Sequence, residues 1–207
     1  MKLDFDKLIF RKVSGEEIPN VSEYIINYLK TVDSGVKVMI GCDSINIRRR
    51  TMYVITVVFY NETLRKGAHY IYHKVFLKKE TDVFSRLYYE ATFLYDLGLY
   101  LEDKLQGHYF PKSFAFDHKG RMIKNIYGHF PNDYDNSVPC KLVEIHVDFN
   151  KHSHSARKHK TRGIIEFENK SHSVYNATMG MFCGAGFKVK AKPNAYGATN
   201  AADSICH

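Results

Sequence analysis

Apolar positions recur along this chain at two periods. In Val21–Val32 they fall at Val21, Ile25 and Leu29, with Ile26 and Tyr28 beside them. This spacing predicts a short amphipathic helix capped by Asn20 or Ser22. Val36–Cys42 is almost wholly apolar, and Met52–Tyr60 and Ala68–Lys78 are rich in β-branched and aromatic residues, which predicts three strands. Their short polar connections, INIRRR and NETLRKG, suit antiparallel hairpins. Thr81–Leu105 returns to helical spacing at Val83, Leu87, Leu94, Leu97 and Leu101, with Thr81 or Asp82 as cap. Lys141–Phe149 alternates as a strand, and Ser171–Cys183 reads as a helix ended by Gly184 and Gly186. Phe187–Lys192 and Ala198–His207 follow as a short strand and a short helix. Between them, Gly107–Pro139 is irregular and reads as an insertion carrying a hairpin that turns at Asp117–Gly120. Asn150–Asn169 reads as a polar basic loop with an extended piece at Gly163–Phe167.

The expected order is helix, three strands, helix, strand, helix, strand, helix. Three hairpin-linked strands followed by α/β units imply an α/β fold with a mixed five-stranded sheet. Three strands would be antiparallel, the later ones parallel, and helices would cover both faces. Residues 1–207 are read as one domain with an N-terminal helix and insertions near 107–139 and 150–168.

Composition narrows the class. Thirty Lys and Arg against 22 Asp and Glu leave +8, and a 44% hydrophobic content excludes a disordered tail or a disulfide-stapled miniprotein. With no Trp, the core rests on Phe, Tyr and aliphatic residues. The charge favours a polyanionic partner, nucleic acid before acidic lipid, although solubility alone also accounts for it. Cys42, Cys140, Cys183 and Cys206 form no C-x-x-C pair and are read as reduced, buried thiols. MKLDFDKLIF lacks the apolar core of a signal peptide, and the longest apolar run, Tyr53–Tyr60, is too short to span a bilayer. A cytoplasmic protein without membrane association is expected.

Carboxylates stand where apolar neighbours should exclude them. Asp43 closes the strand that begins at Val36, on the face of Lys37, Met39 and Gly41. Asp148 nears the end of the later strand, on the face of Glu144 and His146. Glu90 falls inside the apolar stripe of the long helix, and Asp203 lies in the small-residue tail ATNAADSIC. A buried, unpaired carboxylate costs several kcal/mol. Singly, each has an ordinary reading as turn residue, ion-pair partner or solvated acid. If the two strands are parallel neighbours, the set converges and demands a hard cation, Mg²⁺ or Mn²⁺. Two such ions suit in-line phosphodiester hydrolysis.

GCDS (41–44), the YYEA helix segment (88–91) and HVDF (146–149) resemble the acidic core of ribonuclease H-like nucleases. With GFKVKAKP (186–193) and ATNAAD (198–203), the chain resembles the YkuK-like family of ribonuclease H-related nucleases over roughly two-thirds of its length. The resemblance implies Asp43 as the ligand bridging two ions, with Glu90 and Asp148 next and Asp203 at a variable fourth position. It also implies products ending in a 3′-hydroxyl and a 5′-phosphate. The NAADSICH tail is faintly similar to the last helix of RuvC-type junction resolvases, which adds branched DNA to RNA, DNA and hybrid as expected substrates.

Basic residues flank the acids. Lys151, Arg157, Lys158, Lys160 and Arg162 follow Asp148 with no acid among them. Lys188, Lys190 and Lys192 alternate along one strand, and Arg48, Arg49 and Arg50 follow Asp43. Together they are expected to track phosphates, giving affinity without sequence specificity. Ser44 and His146 stand next to the acids as supporting or substrate contacts, a histidine satisfied in the core being the competing reading. His152, His154, His159 and His172 lack the spacing of a zinc motif. The expected function is thus a metal-dependent nuclease. The rivals are a nucleic-acid-binding module with the same fold but no catalysis, and a structural partner protein using aromatics of 107–139.

Overall fold

The most apolar segments form the middle of the sheet. The computed structural model describes residues 3–32, 36–61, 68–105, 115–117, 122–123, 140–151, 154–159, 163–168, 171–192, 194–195 and 197–206; for 115–117, 122–123, 140, 154–159 and 163–168 it describes the backbone. Two short strands, β1 (Phe10–Lys12) and β2 (Glu17–Ile18), precede helix α1 (Val21–Thr31). Asn20 caps α1 by accepting the Glu23 N–H. Then come β3 (Val36–Ile47), β4 (Arg50–Asn61), β5 (Ala68–Lys78) and the long helix α2 (Val83–Leu105). Beyond α2 lie β6 (Ala115–Asp117), β7 (Met122–Ile123), β8 (Cys140–Lys141), β9 (Val143–Asn150), β10 (His154–His159) and β11 (Gly163–Glu168). The chain ends in α3 (Ser171–Gly184), β12 (Lys188–Lys192) and α4 (Gly197–Cys206).

The main sheet has seven strands in the order β12-β9-β3-β4-β5-β1-β2. β12, β9 and β3 run parallel, while β3 through β2 alternate antiparallel. This contains the expected mixed five-stranded arrangement and extends it by β1 and β2. Their few residues offer too short a pattern to be read as strands. The hairpin expected within 107–139 is present as β6–β7, with β8 added to it. In the segment expected as a basic loop, β11 contains the extended piece expected at Gly163–Phe167, and β10, expected as loop, pairs antiparallel with it. HSARKH lacks the β-branched density that signals a strand, so backbone pairing with GIIEFE decides its structure.

Alternation along β3 sets the two layers. Val36, Val38, Ile40 and Cys42 join the main core with α1, α2, α3 and the facing residues of β4 and β9. Met39, on the other face, packs with Val58 and Ala198 of α4. The largest fully buried side chains are Tyr53 and six phenylalanines, as the absence of Trp requires. Cys42 is buried, but Cys183 is exposed, contrary to expectation. α3 buries Val174, Thr178 and Phe182 at helical spacing, and Cys183 falls off that stripe.

Candidate active site

β3 runs past Asp43 to Ile47, so Asp43 lies inside the strand rather than at its end. Two residues earlier, Gly41 lets α4 approach the sheet. A Cβ there would sit 2.5 Å from the carbonyl carbon of Ala198, so no side chain fits without moving the helix backbone. Thr56 of β4 fastens the same contact. Its hydroxyl lies 2.9 Å from the Ala198 carbonyl oxygen and 3.2 Å from that of Gly41, both acceptors. α4 is thereby fixed across β3 and β4, with Asp203 one turn beyond Thr199.

That placement brings Asp203 into hydrogen-bond contact with Asp43. Two ionised carboxylates so placed repel each other. Burial pushes the Asp43 carboxyl up, the Ser44 N–H donating to its Oδ1 at 2.8 Å pulls it down, and Asp203 raises it again. Glu90 reaches the same region from the α2 face of the sheet. The Ser44 hydroxyl donates to its Oε1 at 2.5 Å, and Glu90 is only 1% exposed. Burial pushes its carboxyl up to about 8 against the pull of Ser44, with the Asp43 charge adding to the rise. Arg86, one turn earlier on α2, donates to the Ser44 carbonyl at 3.0 Å and lowers both acids electrostatically.

Asp148 lies on the strand that neighbours β3. β3 and β9 are parallel and paired Val38↔Val143 through Gly41↔His146, so Asp43 and Asp148 each follow the last pair by two residues. Asp148 is bound by Lys192, Nζ to Oδ1 at 2.5 Å. A register shift after Ala191 advances Lys192 by two residues along β9 to pair with Asn150, which leaves it on the same face as Lys188 and Lys190. The other two lysines converge on Glu144, at 2.7 Å and 2.8 Å. The His146 Nε2–H donates to Glu144 as well, at 2.7 Å. Burial would raise the Glu144 carboxyl, but these three partners outweigh it and hold it well below the usual range. Burial lowers His146, which is satisfied on Nε2 within the sheet, while its Nδ1 has no hydrogen-bond partner.

The four expected ligands are thus linked to one another in unequal ways. Asp43 touches Asp203, Glu90 lies within electrostatic reach of Asp43, and Asp148 is held by a lysine whose charge Glu90 also feels. Among the described residues, no three His, Cys, Asp or Glu side chains are arranged to hold a metal ion as they stand. The donor set nonetheless fits a hard cation. Glu90 Oε2 is buried without a hydrogen-bond partner, and the Asp43–Asp203 contact is one that a cation would relieve.

The basic residues divide. Arg48 and Arg49 form the exposed β3–β4 turn, and Arg50 opens β4. Lys151 is exposed just after β9. Arg157 and Lys158 lie on β10, where the backbone alone is described, and Lys160 and Arg162 lie outside the described residues. Of the histidines, His154 and His159 belong to β10, His172 contacts Asn176 at 3.1 Å, and His152 is outside the described residues. Arg86, Gly41 and Thr56 went unread in the sequence. Arg86 had a signal, four residues before Glu90 on one helix face; Gly41 and Thr56 depend on where α4 packs.

No helix among the described residues is long and apolar enough to cross a membrane. No curated protein and no solved structure matches the chain significantly. The ribonuclease H-like family profile matches residues 20–207, which takes in every expected ligand and all five central strands. The chain therefore belongs to the ribonuclease H-like family, in agreement with its resemblance to the YkuK-like group.

Proposed function

We propose that this protein is a metal-dependent nuclease that hydrolyses phosphodiester bonds in RNA or DNA. The observation that carries the reading is that Ser44 bonds both Asp43 and Glu90, that Asp43 also contacts Asp203, and that a buried Glu90 oxygen is left unsatisfied. Asp43, Glu90, Asp148 and Asp203 would hold Mg²⁺ or Mn²⁺, two ions in the full site. When bound, such ions supply a nucleophilic water at neutral pH and offset charge on the leaving oxygen.

The chain's own groups prepare that chemistry. Ser44 fixes one Glu90 oxygen by hydrogen bond and leaves the other directed elsewhere. Arg86 adds a positive charge that favours the ionised forms of Asp43 and Glu90. Glu144 gathers His146, Lys188 and Lys190 on β9 and β12, contacts that would steady the strand carrying Asp148. Arg48, Arg49, Arg50 and Lys151, with the basic residues of 157–162, would hold phosphates.

A second reading, a binding module that has lost catalysis, is favoured by one observation, the capture of Asp148 by Lys192. Metal-titrated cleavage of labelled RNA and DNA separates them. Cleavage that needs Mg²⁺ or Mn²⁺ and stops with a chelator supports the nuclease. Binding without cleavage under either ion supports the module.

A further inference from the structure

The face of β5 that lies beside α4 repeats aromatic and basic side chains. Tyr70 packs against the cluster of Met39, Val58 and Ala198, and Tyr72 against that of Met52, Val54 and Ala202, which puts both on the α4 side of the sheet. Alternation continues this face through Lys74, Phe76 and Lys78. α4 crosses β3, β4 and β9, and beyond Tyr72 the side chains of Lys74, Phe76 and Lys78 are exposed. Lys74 lies over the Tyr72 ring at 5.8 Å, and Phe76 is 49% exposed. β5 carries no acidic residue.

The stripe adjoins both the acids and the arginine turn. Asp43 pairs with Val54 and Val54 with Lys74, so acid and lysine stand in one cross-strand row, about 10 Å apart. Phe76 lines a cavity of about 450 Å³ together with Ile47, Arg48, Arg49 and Arg50. Arg48 is held at φ 51°, a left-handed backbone where a hairpin ordinarily places Gly or Asn. An arginine kept there at a conformational cost points to a use for its side chain.

We infer that the β5 face, from Tyr72 to Lys78 with the Arg48–Arg50 turn, binds a single-stranded stretch of nucleic acid, an unpaired base stacking on Phe76 and phosphates lying on Lys74, Lys78 and the arginines. Exposed aromatics interleaved with cations recognise unpaired bases, because a base must leave its duplex to offer a face for stacking. A duplex would meet the cations alone. The inference deepens the nuclease reading by naming the substrate class that enters the site, and rests on it only for the cleavage that follows.

Fluorescence anisotropy with the full chain in EDTA reads binding without cleavage. The probes are a short labelled oligothymidylate and a duplex of equal length. Phe76→Ala should weaken the single strand about tenfold, leaving its salt dependence and the duplex affinity unchanged. Lys74→Met with Lys78→Met should flatten the salt slope for the single strand by roughly one. Wild-type single-strand affinity in both variants overturns the inference, as does an equal loss for strand and duplex in Phe76→Ala. The expected binding pattern without cleavage under any divalent ion supports this track and overturns the nuclease reading. Metal-dependent cleavage with binding unaffected by either variant does the reverse.

Discussion

The Lys192 ammonium lies 2.5 Å from Asp148 Oδ1, at the point where β12 slips its register against β9. Its side chain is about half exposed and its charge also reaches Glu90, so an internal cation sits among the residues proposed to hold a metal. A divalent ion must displace it to reach Asp148. Lys192→Met should therefore raise Mn²⁺ affinity several-fold, measured by calorimetric titration or by the loss of the free-ion EPR signal. A weaker affinity in that variant would mean that Lys192 positions Asp148 for the ion instead.

Glu90 links stability to pH. Its folded carboxyl titrates near about 8 against an ordinary 4.5, so the folded chain binds this proton more tightly than the unfolded one. The stability it contributes is full below the unfolded value, declines as pH rises between the two, and stays flat above. Chemical denaturation in EDTA should show the protein losing stability from about pH 5 to about pH 8, and Glu90→Gln should reduce that loss by a few kcal/mol at most. Glu102, buried on α2 and pushed up to about 7, titrates in the same window, so the difference between the two proteins is the readout. Identical pH slopes would contradict the assignment. Metal affinity should rise over the same range, since the ion needs the ionised carboxylate.

Gly41→Ala tests how α4 is seated. The added methyl would meet the backbone of Ala198, at 2.5 Å from its carbon and 2.6 Å from its oxygen, so the helix must shift. A destabilisation of about 1–3 kcal/mol is expected, with faster amide exchange concentrated in α4. Because α4 carries Asp203, Mn²⁺ affinity should fall too. Wild-type stability and exchange would show that α4 is not fixed by this contact.

Much of the layout was legible because hydrophobic period and strand order act locally. Glu90 stood out as a charge within an apolar stripe, and the structure buries it there. The parallel pairing of β3 with β9, which carry Asp43 and Asp148, followed from the α/β order. What stayed hidden depends on partners distant in sequence. Lys188, Lys190 and Lys192 read as three equivalent alternating lysines, but the first two meet Glu144 and the third meets Asp148, a division set by partners on β9. β10 became a strand through pairing that its own residues do not announce. Asp43 looked like a strand end because polar residues follow it, yet the hairpin ladder continues to Ile47↔Arg50.

On the proposed function, Asp43 and its carboxylate neighbours make this chain a metal-dependent nuclease. The direct test compares cleavage of labelled RNA and DNA by the wild type and by Asp43→Asn, each purified identically, with Mn²⁺ or Mg²⁺. Metal-dependent cleavage by the wild type is expected, lowered more than about a hundredfold by the substitution while the fold and most nucleic-acid binding persist. Equal cleavage by the two proteins, or none by the wild type with either ion, would contradict it.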